Sequence, residues 1–381
     1  MKVTPKFYPP MWPENYPTLD YTFWEAAEKK WREKQYTSSF KYLLDFINPK
    51  VRKQYEIEDN KRYCIPHGSS VIYLTLLDSE VNIMCYLAKL DAANIQVVYN
   101  RIQLLNTQHV KRIKLTLENN VLLINHVLAL HSHTLTEQYK VLKEICLTAD
   151  HLDDLIIQQY RASFYSEPQI KKLGASDKIL ARSIAKAILQ ETNDYLRFFE
   201  WQNNTGNCLA MLKMALKRID LALQPQGYLK SEITNTQHVL LDNRIPIKER
   251  IITGKLLYDL IKNMSVEDFN KNIYLSEMFM PEKKMLPTKK LFEMLKASNN
   301  LLVEKIENRE YATGATEVIC TLYGLLYRNW LTLELRKSIL FILQESAEKD
   351  WPLACTFLNM QIEKILNENY FNTTYVTVST S

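Results

Sequence analysis

The chain has 381 residues, of which 46% are hydrophobic and 24% charged, so it can bury a sizeable core and should form two or three domains. Its 7 glycines argue against an open α/β nucleotide-binding enzyme, because phosphate-binding loops depend on glycine. The net charge of +5, from 48 basic and 43 acidic residues, is a mild excess on a mixed surface and argues against a nucleic acid partner.

The cysteine pattern and the N-terminal sequence indicate in which cellular compartment the protein is located. The six cysteines are widely scattered and form no CxxC pair, which is typical of reduced, buried thiols. The N-terminus lacks an apolar signal segment, and the sequence contains no run of about 18 apolar residues. We therefore expect a cytoplasmic protein that is neither secreted nor membrane-spanning.

The first 60 residues are predicted to form an arm and a helical hairpin. Prolines exclude a helix from residues 1–18. A helix is expected over residues 21–34, with Asp20 as its cap, and a second over residues 38–47. The extended arm could dock along the body of the protein through Phe7, Tyr8 and Trp12.

Strand patterns follow a charged linker at residues 51–61. Strands are expected at residues 62–65, 70–77 and 81–87, and Asp91 is placed to cap a short helix. The inner face of that helix is predicted to consist of Ile95, Val98, Ile102 and Leu105.

A hairpin and a long helix come next. Residues 109–118 alternate apolar and polar, and Asn119-Asn120 suits a two-residue turn because asparagine tolerates positive φ. The partner strand, residues 121–131, is apolar on both faces, so we expect it to be covered on both sides. Its helix would cover one side, and a second domain or subunit the other. The candidate interface residues are Val121, Leu122, Leu123, Ile124, Val127, Leu128 and Leu130.

Thr134 and Glu137 have the spacing of a capping box and open a helix over residues 135–160. The resulting order is α-β-β-β-α-β-β-α. This order, with the segment RIQLLNTQHVKRIKLTLENNVLLINHVLALHSHTLTEQYKVLKEIC, resembles the type III secretion chaperone-like fold of the YbjN and CesT-like superfamily over roughly residues 60–160. The resemblance implies a small, often dimeric protein-binding module of bacterial origin. This chain departs from the small secretion chaperones in its size, positive charge and long helical second half.

The remainder of the chain has a helical pattern. We place a chaperone-like α/β module at residues 61–165, a boundary within residues 166–176, an all-α domain at residues 177–370 and a flexible tail at residues 371–381. Residues 228–245 are polar and poorly periodic, and no element is predicted there.

Only one cluster has the composition of a ligand set: His131, His133, His151, Asp150, Asp153 and Asp154. The two ends of this cluster are separated by a helix on the order of 25 Å long, which argues against a metal site. Asp153-Asp154 lacks the third carboxylate of a prenyl-transfer motif, so it is interpreted as a solvated helix face. No motif of a hydrolase, kinase, metalloprotease or dinucleotide enzyme is present.

The sequence therefore predicts an α+β protein without catalytic residues, cofactor or metal. The expected function is noncatalytic protein binding in the cytoplasm, as an adaptor, assembly factor or chaperone, with a protein partner or a second copy. The alternative is an enzyme or small-ligand-binding protein whose pocket lies between the α/β module and the helical domain. RNA binding by the helical half is a third possibility.

Overall fold

The computed structural model describes residues 3–13, 19–58, 61–108, 110–160 and 162–367. These form a mixed α+β structure, with an antiparallel sheet in the N-terminal part and helices in the C-terminal part. The tail predicted at residues 371–381 lies outside the described residues.

The N-terminal part places helices before, within and after one sheet. Its elements are α1 (Tyr21–Arg32), α2 (Tyr36–Ile47), α3 (Val51–Gln54), β1 (Glu56–Glu58), β2 (Arg62–His67), β3 (Ser70–Leu76), β4 (Glu80–Lys89), α4 (Ile95–Gln108), β5 (Leu115–Glu118), β6 (Val121–Ala129) and α5 (Leu135–Tyr160). The strand order is β1-β2-β3-β4-β6-β5, and the short β7 (Ser163–Phe164) pairs with the end of β4.

The C-terminal part is an array of helices with two small strand pairs. Its elements are β8 (Ile170–Lys172), α6 (Ala175–Trp201), α7 (Thr205–Leu223), α8 (Gly227–Leu241), α9 (Ile247–Asn263), α10 (Val266–Lys271), β9 (Tyr274–Ser276), β10 (Lys284–Met285), α11 (Thr288–Glu307), α12 (Tyr311–Arg328), β11 (Asn329–Trp330), α13 (Leu333–Ser346) and α14 (Trp351–Asn367). Of these, α7 is central, since it packs against α6, α8, α9 and α12.

The predicted turn at Asn119-Asn120 and the predicted capping box of α5 are confirmed. Asn119 and Asn120 have φ of 48° and 64°, which gives the left-handed backbone that joins β5 to β6. At the start of α5, the Glu137 carboxylate accepts the Thr134 amide at 2.8 Å, and the Thr134 hydroxyl accepts the Glu137 amide at 3.3 Å. Residues within a few positions of each feature therefore determine both the β5–β6 turn and the start of α5.

Several local predictions are wrong. The linker predicted at residues 51–61 contains α3 and β1, and β5 is four residues long instead of covering residues 109–118. The Asp91 side chain makes no capping hydrogen bond. Residues 228–245, where no element is predicted, contain most of helix α8. Several buried positions of α8 are polar, so its inward face has no simple apolar stripe.

Two hydrophobic cores fill the structure. One contains α1, α2, α4, α5 and the inner face of the sheet; the other contains the helices from α6 onward. Each core also receives a segment that is remote in sequence. The arm packs on the helical core, where the Thr4 hydroxyl donates to the Ser346 carbonyl at 2.5 Å. Conversely, Phe279 and Met280 lie in the core of the α/β part.

The docking of the arm was anticipated from its aromatic residues. The side chains of the arm that pack against the helical core are Phe7, Tyr8, Met11 and Trp12. Arg218, only 1% exposed, donates to the Lys6 carbonyl at 2.6 Å and lies over the Tyr8 ring. The arm is therefore held by backbone contacts as well as by apolar packing.

None of the helices in the described ranges combines the length and apolar character that crossing a bilayer requires.

Candidate functional site

A cavity of about 1010 Å³ lies where the two cores meet, and we name it the central cleft. It is lined by residues of α4, α5 and α8, the end of α7, residues 274–286, the start of α11 and the end of α12. Its volume is at the upper end of the range for ligand sites, which commonly lie between domains. Leucine and methionine side chains supply much of its wall, and charged groups concentrate at several points.

Helix α8 brings the helical part to the cleft. It packs directly against α5, and Lys230, Ser231 and Gln237 on this helix line the cavity. The Ser231 hydroxyl is hydrogen-bonded to His151 Nδ1 at 2.9 Å, which joins α8 to α5. The polar residues of α8 prevented its prediction as a helix, and some of them line the cleft.

Three carboxyl groups of α5 gather at the turn between β2 and β3. Ser69 Oγ lies 2.9 Å from both oxygens of Asp153 and 3.0 Å from Asp154 Oδ2. Ser70 Oγ donates to Asp153 Oδ2 at 2.6 Å, and the Ser69 amide donates to Asp150 Oδ1 at 3.0 Å. We name Asp150, Asp153 and Asp154 the carboxyl cluster.

The carboxyl cluster corrects the prediction of a solvated helix face. Asp153 is only 1% exposed, and Asp154 is half-buried beside Tyr274, whose hydroxyl donates to its carboxyl at 3.0 Å. The β2–β3 turn and β9 supply the donors from positions remote in sequence. The consecutive aspartates gave no sign of this burial because their partners come from other elements.

Burial is the main cause of the raised pKa values of the three carboxyl groups in the cluster. It raises the pKa of Asp150 to about 7, against the hydrogen bond from the Ser69 amide. Burial, with the neighbouring Asp154 and Asp150, holds the pKa of Asp153 well above its usual value. Burial also raises the pKa of Asp154, although the hydroxyls of Tyr274 and Ser69 favour its ionised form. Asp150 also lines the central cleft, so a carboxyl with a raised pKa reaches the cavity.

Two ammonium groups, Lys230 and Lys283, and two further carboxyls, Asp220 and Glu282, also line the cleft. Lys230 Nζ lies 2.7 Å from Asp220 Oδ1 and 3.1 Å from Glu282 Oε2. Burial opposes the ionisation of Glu282, but Lys230 and Lys283 outweigh it and lower its pKa. Burial raises the pKa of Asp220 despite the contact with Lys230. This network ties the end of α7 to α8 and to the residues after β9.

His67 fixes the residues after β9 to the α/β part. Its Nδ1 accepts the Phe279 amide at 3.1 Å and the Met280 amide at 3.3 Å, so the proton of the neutral ring is on Nε2. Burial lowers the pKa of His67 to about 4, which keeps the ring neutral at physiological pH. The neighbouring Gly68 amide donates to the Glu277 carbonyl at 2.8 Å. These contacts hold β9, with Tyr274, close to the carboxyl cluster.

Gly68 is required at this junction. Its φ is +62°, and a Cβ placed there would lie 1.5 Å from Asp150 Oδ1. No side chain fits between the turn and α5.

The histidines of the candidate ligand set do not converge. His133 Nδ1 bonds the Ala129 carbonyl at 2.9 Å, and the His131 ring lies beside Tyr36. His151 is instead hydrogen-bonded to Ser231 of α8. Within the described ranges, no group of three or more His, Cys, Asp and Glu side chains has an arrangement that could hold a metal ion.

The candidate interface residues divide between the two faces of β6. Those on the inner face are fully buried in the chain's own core, where they are unavailable to another molecule: Leu122, Ile124, Leu128 and Leu130. On the outer face Leu123 is 3% exposed, Val121 is half-buried and Val127 is 54% exposed. In the described chain, the apolar residues of the inner face are thus fully covered, and those of the outer face are covered only in part.

Aromatic and thioether side chains accompany the outer face of β6. The Tyr86 and Tyr165 rings stack with centroids 4.3 Å apart, and Tyr73 meets Tyr86 edge-on at 6.1 Å. Tyr73 and Met84 are half-buried, and Tyr165 is 48% exposed. We name these four residues, with Val127, the outer sheet patch.

No protein-family model matches the chain, and no curated protein sequence is significantly similar to it.

Proposed function

We propose that this protein binds a small organic ligand in the central cleft. The observation that carries the proposal is a cavity of about 1010 Å³ at the junction of two cores, with ionisable groups converging on it from α5, α7, α8 and the residues after β9. Ligand sites typically combine apolar walls with a few polar groups, and buried titrating residues concentrate in them.

The proposal takes the alternative expected from the sequence in preference to protein binding. We propose binding without assigning a reaction. Ser231 is hydrogen-bonded to His151, but the serine is only 2% exposed, so its hydroxyl is not open to attack a substrate.

A blocked cleft provides the test. Thr234 lines the cavity from α8, whereas Val239 is a half-buried residue of the same helix outside it. Fragments would be screened by saturation-transfer NMR against wild type, Thr234→Trp and Val239→Trp. We expect a set of fragments that bind wild type and Val239→Trp but not Thr234→Trp.

Two outcomes would reject the proposal. Either no fragment binds the wild-type protein, or the bound fragments are insensitive to Thr234→Trp. Circular dichroism of each variant would establish that the added indole leaves the fold intact.

A second candidate function is protein binding through the outer sheet patch. It is favoured by the exposed Val127 and Tyr165 beside stacked tyrosines, since aromatic residues and methionine are enriched at interfaces. In this proposal residues 61–165 form a chaperone-like module, as the resemblance implies, and the protein acts in the cytoplasm with a second copy as partner.

The oligomeric state tests this second proposal. Sedimentation of wild type should reveal a dimer that Val127→Lys with Tyr165→Lys abolishes, because two charges would have to be desolvated. Leu256→Lys, at a residue on α9 that is 65% exposed, is the control. A wild-type monomer at all accessible concentrations would reject self-association through this patch.

A further inference from the structure

Basic side chains outnumber acidic ones in the lining of the central cleft. The charged residues that line it are Arg101, Lys230, Lys283, Lys284, Lys290 and Arg328 against Glu144, Asp150, Asp220 and Glu282. An excess of one sign of charge in a concave site concentrates ligands of the opposite sign. The composition of the lining therefore favours a ligand with negative charge.

Three of the four acidic side chains are already paired with cations of the protein. Asp220 and Glu282 both contact Lys230, at 2.7 and 3.1 Å. The Glu144 carboxylate accepts a hydrogen bond from the Arg112 guanidinium at 3.1 Å. These carboxylates have cationic partners before any ligand binds, so they offer little to a cationic ligand.

Two cationic side chains, in contrast, converge at Gly324 on α12. A Cβ placed on Gly324 would lie 3.1 Å from Lys217 Nζ and 3.4 Å from Arg328 Nη2. Lys217 is only 3% exposed, and its Nζ lies 3.1 Å from the Cys320 carbonyl oxygen and 3.6 Å from Cys320 Sγ. Among the described residues, neither cation is paired with a carboxylate. Positive charge is therefore gathered at this point without a counter-ion.

The neighbouring basic residues repel one another. Burial lowers the pKa of Lys217; Cys320 opposes this effect and Arg328 reinforces it. Burial also lowers the pKa of Lys213, one turn earlier on α7, and the charges of Lys217, Arg250 and Arg328 act in the same direction against Cys320. Like charges close together in a partly desolvated place disfavour each other. An anion bound beside Arg328 would relieve this repulsion.

Arg328 is the member of this group that a ligand can reach, since it is exposed and lines the cleft. Strands β10 and β11 pair in parallel with Lys284 opposite Asn329, which places a second exposed basic residue next to Arg328. Lys217 lies behind them and acts through its charge alone. We name Arg328 and Lys284 the basic end of the cleft.

Resting on the proposed ligand-binding function, we propose that the ligand of the central cleft is an organic anion whose carboxylate or phosphate group binds Arg328 and Lys284. A guanidinium presents paired N–H donors that match the oxygens of either group. Apolar side chains of the wall, such as Leu155 and Met294, accommodate the hydrocarbon part of the ligand.

Calorimetry on the full chain tests the class of ligand. Hexyl phosphate, hexanoate, hexanol and hexylamine share one apolar body and differ in the head group. At least one of the two anions should bind about tenfold or more tightly than hexanol and hexylamine, because charged hydrogen bonds contribute that much. The tighter of the two anions identifies the preferred head group, and added salt should weaken its binding more than that of hexanol.

Matched variants locate the effect at the basic end of the cleft. Arg328→Gln should weaken the tighter anion at least about tenfold and leave the affinity for hexanol unchanged. The unchanged affinity for hexanol separates a loss of charge recognition from a loss of the fold. Arg197→Gln, at an exposed position of α6 outside the cavity, should change neither affinity.

Three results would overturn the proposal: no binding of either anion, binding of hexanol or hexylamine as tight as that of both anions, or an Arg328→Gln variant that binds the anions as wild type does. The ligand-binding function fails separately, only if the Thr234→Trp comparison fails. Cleft-dependent binding of fragments without an anionic group would leave the function in place and reject the anion alone.

Discussion

Asp150→Asn should reduce the loss of folding stability that occurs as the pH rises above neutral. The pKa of Asp150 is raised from 3.8 to about 7 in the folded protein, so the folded state binds the proton more tightly than the unfolded state does. The stabilisation is fully present below about pH 4 and is lost as the pH rises through about 7. A shift of about 3 pKa units corresponds to about 4 kcal/mol of unfolding free energy.

The asparagine side chain keeps the shape of the carboxyl and can accept the Ser69 amide, now 3.0 Å from Asp150 Oδ1. At about pH 8 the variant should therefore gain up to about 4 kcal/mol relative to wild type, with little or no gain at about pH 4. Urea unfolding at a series of pH values measures this, with Asp259→Asn as the exposed control. If the unfolding free energies of wild type and Asp150→Asn change with pH in parallel, the pKa of Asp150 is not raised in the folded protein.

Three further substitutions test the fold, each by urea unfolding. Ile124→Asp should abolish folding, because a charge enters a fully buried site, whereas Val127→Asp on the 54%-exposed outer position should change stability by no more than about 0.5 kcal/mol; equal effects would contradict the division of β6 into two faces. Phe279→Ala should cost about 3–5 kcal/mol, and a smaller loss would show that this residue contributes little to the α/β core. Thr134→Ala should cost about 1 kcal/mol through the lost cap; an unchanged midpoint would mean that Glu137 alone suffices.

The parts of the fold that local rules govern were predictable. Helix α5 covers the residues expected from its capping box, and the Asn119-Asn120 turn joins the two strands that it was expected to join. The inner face of α4 is buried at Val98, Ile102 and Leu105 as its period indicates. In each case the signal lies within a few residues of the feature.

Helix α8 shows where periodicity fails. Its buried residues include Ser231, Thr236 and Gln237, so its inward face does not have the apolar stripe that sequence analysis seeks. The helix is held by neighbours on other elements, such as His151 on α5 and the Lys213 carbonyl on α7. Because neighbouring elements supply hydrogen-bond partners, polar side chains can occupy buried positions of α8 where apolar side chains are usual.

The sequence by itself determined the strands' alternation, the tight turn, the capped helices and the apolar residues that fill both cores, because those depend on neighbours along the chain. Only the tertiary structure decided the central cleft and the burial of its acids. Ser69 meets Asp153 across 84 residues, and Tyr274 meets Asp154 across 120. No local pattern encodes such contacts: the charge state of these aspartates follows from which remote groups exclude water around them.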